Sequence, residues 1–94
     1  MRHGVEKNLH TQRQNILLRL LRQCREDAEL RQVDVAELLE RPQSFVSKYE
    51  SGERRLDILE LHDVCRALQT DLSAFAAELE RRLRKPKQRS RRKK

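Results

Sequence analysis

Apolar residues recur at helical spacing through most of the chain. Leu17, Leu21, Cys24 and Ala28 follow one another at steps of three and four, and Ile16 and Leu20 form an adjacent stripe, which predicts a helix over 11–28. Val35, Ala36 and Leu39 share one side of a short second helix, Gln32–Leu39, while Asp34 and Glu37 fall on the other. That helix must end near Leu39, because the residue before Pro42 is pushed out of the helical region. Pro42 suits the first turn of a third helix, where its missing N–H costs nothing. Val46 and Tyr49 make the hidden face of this helix, and Gly52 suits a left-handed stop. Asp57 and Glu60 stand at the spacing of a capping box, opening a fourth helix that would bury Ile58, Leu61, Val64, Cys65 and Leu68. Asp71 can cap a fifth, with Leu72, Phe75, Ala76, Leu79 and Leu83 along one stripe. No stretch alternates like a strand, so the pattern predicts an all-α fold of five helices.

The chain has 94 residues, no tryptophan, one tyrosine and two phenylalanines. One small domain with a modest core of leucine, valine, isoleucine and alanine is what that length and composition allow. The formal net charge of +7 is unevenly placed. Residues 81–94 hold ten basic side chains and no acid, leaving twelve basic against fifteen acidic side chains elsewhere. The folded part is therefore mildly acidic, and any affinity of that part for nucleic acid must come from where its cations sit. The divisions expected are a flexible arm over 1–10, a five-helix domain over 11–84, and a disordered basic tail over 85–94.

Several classes of chemistry find no support. Cys24 and Cys65 lack the spacing of a metal knuckle or redox motif and read as buried free thiols. His3, His10 and His62 are scattered, so no metal site is expected, and no cofactor either. No acid–base pair, nucleophile constellation or phosphate-cradling loop suggests an enzyme. Without an apolar run long enough for a bilayer or an apolar signal core, a cytoplasmic protein with no membrane association is expected.

Helices two and three are too short to be stable alone, and so must be presented by the rest of the fold. In a helix-turn-helix the first of such a pair braces across the DNA backbone while the second lies in the major groove. The third helix has the two faces this requires. Val46 and Tyr49 can anchor it, and Gln43, Ser44, Ser47 and Lys48 can point outward. Glutamine and lysine suit the adenine and guanine edges of the major groove, and serine is permissive.

Over residues 17–79 the run "QCREDAELRQVDVAELLERPQSFVSKYESGERRLDILELHDVCRALQTD" resembles the helix-turn-helix family of phage repressor and Cro proteins, also called the XRE type. The resemblance implies a five-helix repressor-like domain with helices two and three as the DNA-binding pair. It implies that Gln43, Ser44, Ser47 and Lys48 contact bases and that Gln32, Arg54 and Arg55 contact phosphates. It makes Ala36 the small residue at the approach of the two helices, and Arg25 with Glu50 a structural ion pair. Glu40 stands where the family usually has a left-handed glycine, a replacement costing about 1 kcal/mol. Arg41 replaces a usual apolar residue, and Arg31 and Pro42 stand where capping hydroxyl residues are usual.

These observations together lead to the expectation of a sequence-specific, double-stranded-DNA-binding transcriptional regulator, a repressor acting as a homodimer on an inverted repeat. The stripe of Leu72, Phe75, Leu79 and Leu83 could simply close the monomer's own core, but with Ile16, Leu20 and Leu59 to spare it is expected to supply the dimer interface. The alternative is an antitoxin-like interaction module that masks a toxin and whose DNA binding mainly autoregulates its own operon.

Overall fold

The computed structural model describes residues 2–91, with side chains described over 12–84. Five helices follow in order: α1 (Arg2–Asp27), α2 (Gln32–Leu39), α3 (Gln43–Ser51), α4 (Ile58–Ala67) and α5 (Leu72–Arg91). The described residues contain no strand. α1 and α5 extend past the limits of 11 and 84 that periodicity marks. A repeating apolar stripe records only where a helix is packed, and helical backbone can continue beyond it. The side chains of the arm over 1–10 and of the basic tail over 85–94 lie outside those described.

The helix starts follow from local chemistry. Asp57 accepts from the Glu60 amide at 2.7 Å, and Glu60 Oε1 accepts from the Asp57 amide at 3.0 Å, completing the capping box read from the sequence. Asp71 Oδ1 accepts from the Ala74 amide at 2.8 Å, which holds its carboxyl below the usual range. α2 has only the returning half of such a box. Arg31 has no side-chain acceptor, but Asp34 accepts from the Arg31 amide at 2.8 Å and from its guanidinium. Pro42 is the residue before α3 rather than part of its first turn, with φ −65° and ψ 153°.

The helix ends share a second device. Glu29, Glu40 and Gln69 adopt the left-handed conformation at φ 60°, 58° and 68°. After each, the next amide reaches back to close the turn: Leu30 to the Arg25 carbonyl, Arg41 to Ala36 and Thr70 to Cys65. Only the end of α3 uses glycine, Gly52 at φ 90°.

The core is Leu20, Leu21, Val35, Ala36, Phe45, Val46, Tyr49, Val64, Cys65, Leu68 and Phe75. α2 packs on α3 and α4, α1 on α3 and α5, and α4 on α5. Leu20 is therefore core and not spare surface. Ile58, expected inside, is 63% exposed. Periodicity assigns a residue to a face without saying how far a neighbour covers it, and on α4 cover begins at Leu61. Both cysteines are free, and burial raises the Cys65 thiol to about 11. Among the described residues no helix is long and apolar enough to cross a membrane.

Candidate nucleic-acid interface

α3 is fixed to the domain by three residues. Phe45, Val46 and Tyr49 are buried, and the Phe45 and Tyr49 rings meet edge to face at 5.5 Å between centroids. Ala36 is buried on α2, where a small side chain lets α3 approach. Gly52 ends the helix in a conformation that strains any other residue. A Cβ there would also stand 3.0 Å from Leu18 Cδ1. Burial raises the Tyr49 hydroxyl, and that hydroxyl has no hydrogen-bond partner among the described residues.

Opposite this anchor, Gln43, Ser44 and Lys48 are exposed on α3, with Ser47 half-buried beside them. The Ser47 hydroxyl donates to the Ser44 carbonyl at 3.3 Å. Gln43 Nε2 donates to Gln32 Oε1 at 3.2 Å, and Gln32 Nε2 donates to Glu50 Oε1 at 2.9 Å. Arg25 completes the chain, donating to both Glu50 oxygens at 2.6 and 3.1 Å and to the Leu30 carbonyl at 2.9 Å. Four predicted site residues are thus one hydrogen-bonded line from the surface of α3 to the inside of α1. The bonds to Glu50 hold Arg25 above its ordinary value, against the opposing effect of burial. With one amide proton engaged on Glu50, Gln32 keeps a second that bonds nothing among the described residues.

Arg54 and Arg55 lie in the segment between α3 and α4. Arg54 pairs with Glu60 through Nη1 at 3.0 Å and Nη2 at 2.9 Å, and Nη1 also donates to the Arg55 carbonyl at 2.8 Å. The bonds from Arg54 lead the causes that pull the Glu60 carboxyl down to about 2. Arg55 is exposed. Among the described residues no cluster of histidine, cysteine and carboxylate could hold a metal ion.

The stripe assigned to dimer contact behaves differently from its sequence reading. Phe75 is 2% exposed and belongs to the core, because α5 turns this face onto α1 and α4. Leu72 and Leu79 pack partly against the same core, and Leu83 is half-buried. Among the described residues the large apolar side chains that stand exposed are Leu38, Ile58 and Leu59.

Two groups escaped the sequence reading. Phe45 sits next to Val46 on α3 and one turn before Tyr49, a spacing that could have marked it as a third anchor. Arg41 lies over its ring, with the guanidinium carbon 4.1 Å from the centroid, and reaches Glu60 Oε2 at 3.4 Å. Nothing in the spacing of Arg41 and Glu60 joins them.

Residues 16–79 match a family model described as a helix-turn-helix domain. Among solved structures, the chain is similar to an XRE-family like protein from Pseudomonas syringae pv. tomato str. DC3000. The two are 45% identical with a TM-score of 0.74, over 82% of this chain and 94% of that one. No curated protein matches.

Proposed function

We propose, from the premise that this chain belongs to the XRE-type helix-turn-helix family of DNA-binding regulators, that it is a sequence-specific transcriptional repressor of the cytoplasm, binding an inverted-repeat operator as a homodimer. The observation that carries the reading is the division of α3. Gln43, Ser44 and Lys48 stand exposed together on a helix locked to the core by Phe45, Val46 and Tyr49. A helix presented in this way can enter a major groove with its polar face toward base edges and without rearranging the domain. Gln43, Ser44, Ser47 and Lys48 read bases, and Gln32, Arg54 and Arg55 hold phosphates. Repression follows where the operator overlaps the polymerase site.

For the homodimer the reading draws on Leu72, Leu79 and Leu83 at the open edge of α5, without Phe75. Ile58 and Leu59, exposed at the start of α4, supply further apolar surface. Selection of bound sequences from random duplexes, followed by footprinting, tests the reading. Two half-sites about one helical turn apart, roughly 34 Å, are expected. A single unsymmetrical site bound by a monomer overturns the homodimer, and failure to enrich any sequence overturns sequence-specific recognition.

A further inference from the structure

We infer that Arg41 is a further DNA contact, a cation held in place to grip a backbone phosphate beside the start of α3; the inference rests on α3 being the DNA-facing helix. Arg41 precedes Pro42 in the turn between α2 and α3. Its guanidinium lies over the Phe45 ring at 4.1 Å, and its Nη2 pairs with Glu60 Oε2 at 3.4 Å. Phe45 is itself almost fully buried, so the platform under the guanidinium is fixed. A stacked and tethered arginine has less freedom left to lose when it binds than one free in solvent.

Charge and unsatisfied donors point to an anionic ligand. Arg54 lies against the same ring at 4.8 Å and pairs with the same carboxylate, so two cations share Glu60, with Asp57 the further anion acting on Arg54. Arg54 engages both terminal nitrogens internally. Arg41 engages only Nη2, and its other N–H groups bond nothing among the described residues, on a side chain 39% exposed. One residue further on, Pro42 offers no side-chain acceptor to the first amides of α3. The helix start therefore also favours an anion. A backbone phosphate satisfies both, because its two non-bridging oxygens accept hydrogen bonds and can be gripped together by the planar fork of a guanidinium.

The test uses the full chain and two variants, Arg41→Ala and Arg41→Gln, the latter keeping a stem over the Phe45 ring. Each is titrated at several salt concentrations with the selected duplex and with a random one, and its folding is followed by circular dichroism. Either variant is expected to bind both duplexes more weakly by a similar factor, with the same preferred sequence. The slope of log affinity against log salt should flatten by about 0.9, the value of one phosphate contact. A slope equal to that of the parent chain overturns the inference and leaves Arg41 a structural cover for Phe45. A changed base preference overturns it too, in favour of base readout. If the parent chain itself binds no duplex, the DNA-binding reading fails before the role of Arg41 is reached.

Discussion

Arg25 grips Glu50 through two parallel hydrogen bonds, Nε to Oε2 at 2.6 Å and Nη2 to Oε1 at 3.1 Å, with only 11% and 7% of the two side chains exposed. Removing one partner of such a pair leaves the other charged and shielded from water. Glu50→Ala should therefore cost roughly 3–5 kcal/mol, much more than an exposed pair would. Replacing both residues, Arg25→Met with Glu50→Leu, should cost considerably less, since neither charge is then stranded. Urea unfolding of the single and double variants separates the cases. A loss well under 1 kcal/mol for Glu50→Ala would mean that water reaches Arg25 readily. Gln32 loses its acceptor in both variants, so Gln43 should also lose orientation and base discrimination should fall.

Lys48 and Arg54 should fail in different ways. On the proposed reading Lys48→Ala and Gln43→Ala each remove a base contact, with an expected cost of about 1–3 kcal/mol on the selected site and much less on random DNA. Arg54→Ala and Arg55→Ala should weaken both duplexes alike, because phosphates carry no sequence information. Competition titrations measure the difference. Equal losses on the two duplexes for Lys48→Ala would show that the reading face lies elsewhere on α3.

What could be read from the sequence was what short spacings encode. Gln32–Leu39 and the Asp57–Glu60 box rest on contacts a few residues apart, and both stand as the spacing implies. The inward face of α3 was legible at Val46 and Tyr49. Phe45, one turn before Tyr49, shares a side with it, but spacing alone does not say how far a neighbour covers it. Ile58 and Phe75 show the same limit from opposite sides. Both continue an apolar stripe, and the neighbouring helices leave the one exposed while covering the other. The meeting of Arg41, Phe45, Arg54 and Glu60 depends on how α4 docks near α3, and no local pattern specifies that.

Glu40 occupies the left-handed region at φ 58°, a conformation that disfavours any residue with a Cβ. Glu40→Gly relieves about 1 kcal/mol of that strain and removes a negative charge from the end of α2, where the helix dipole opposes it. The greater freedom of glycine in the unfolded chain takes back part of the gain. A net stabilisation of up to about 1 kcal/mol is expected, a rise of about 4–8 °C at most in Tm for a domain of this size. Gly52→Ala should act in the opposite direction, because it meets both a φ of 90° and Leu18 Cδ1. Differential scanning calorimetry checks both. A fall in Tm for Glu40→Gly would indicate that its carboxylate makes a favourable contact outweighing the strain.

Glu60 links the stability of the domain to pH. Its carboxyl is held at about 2 against an ordinary 4.5, first by the hydrogen bonds from Arg54 and then by the Asp57 amide. Because the folded value lies below the unfolded one, its contribution is fully present above about pH 4.5 and is lost as the pH falls towards 2. Asp34 and Glu78 are also held at about 2 by arginine, and the Ala74 amide lowers Asp71, so the acid limb of the stability curve is shared among these carboxylates. Glu60→Gln should be less stable than the parent at neutral pH and should lose less stability on acidification, so that the two curves converge towards pH 2. The same substitution removes an anion from beside Arg41 and Arg54, which should raise affinity for random DNA at low salt as the local potential becomes more positive. Thermal unfolding from pH 7 to 2 and one titration at neutral pH test both consequences. Parallel stability curves would show that Glu60 does not hold the arginines in solution, and a raised affinity without convergence would show that its charge matters only to the approaching duplex.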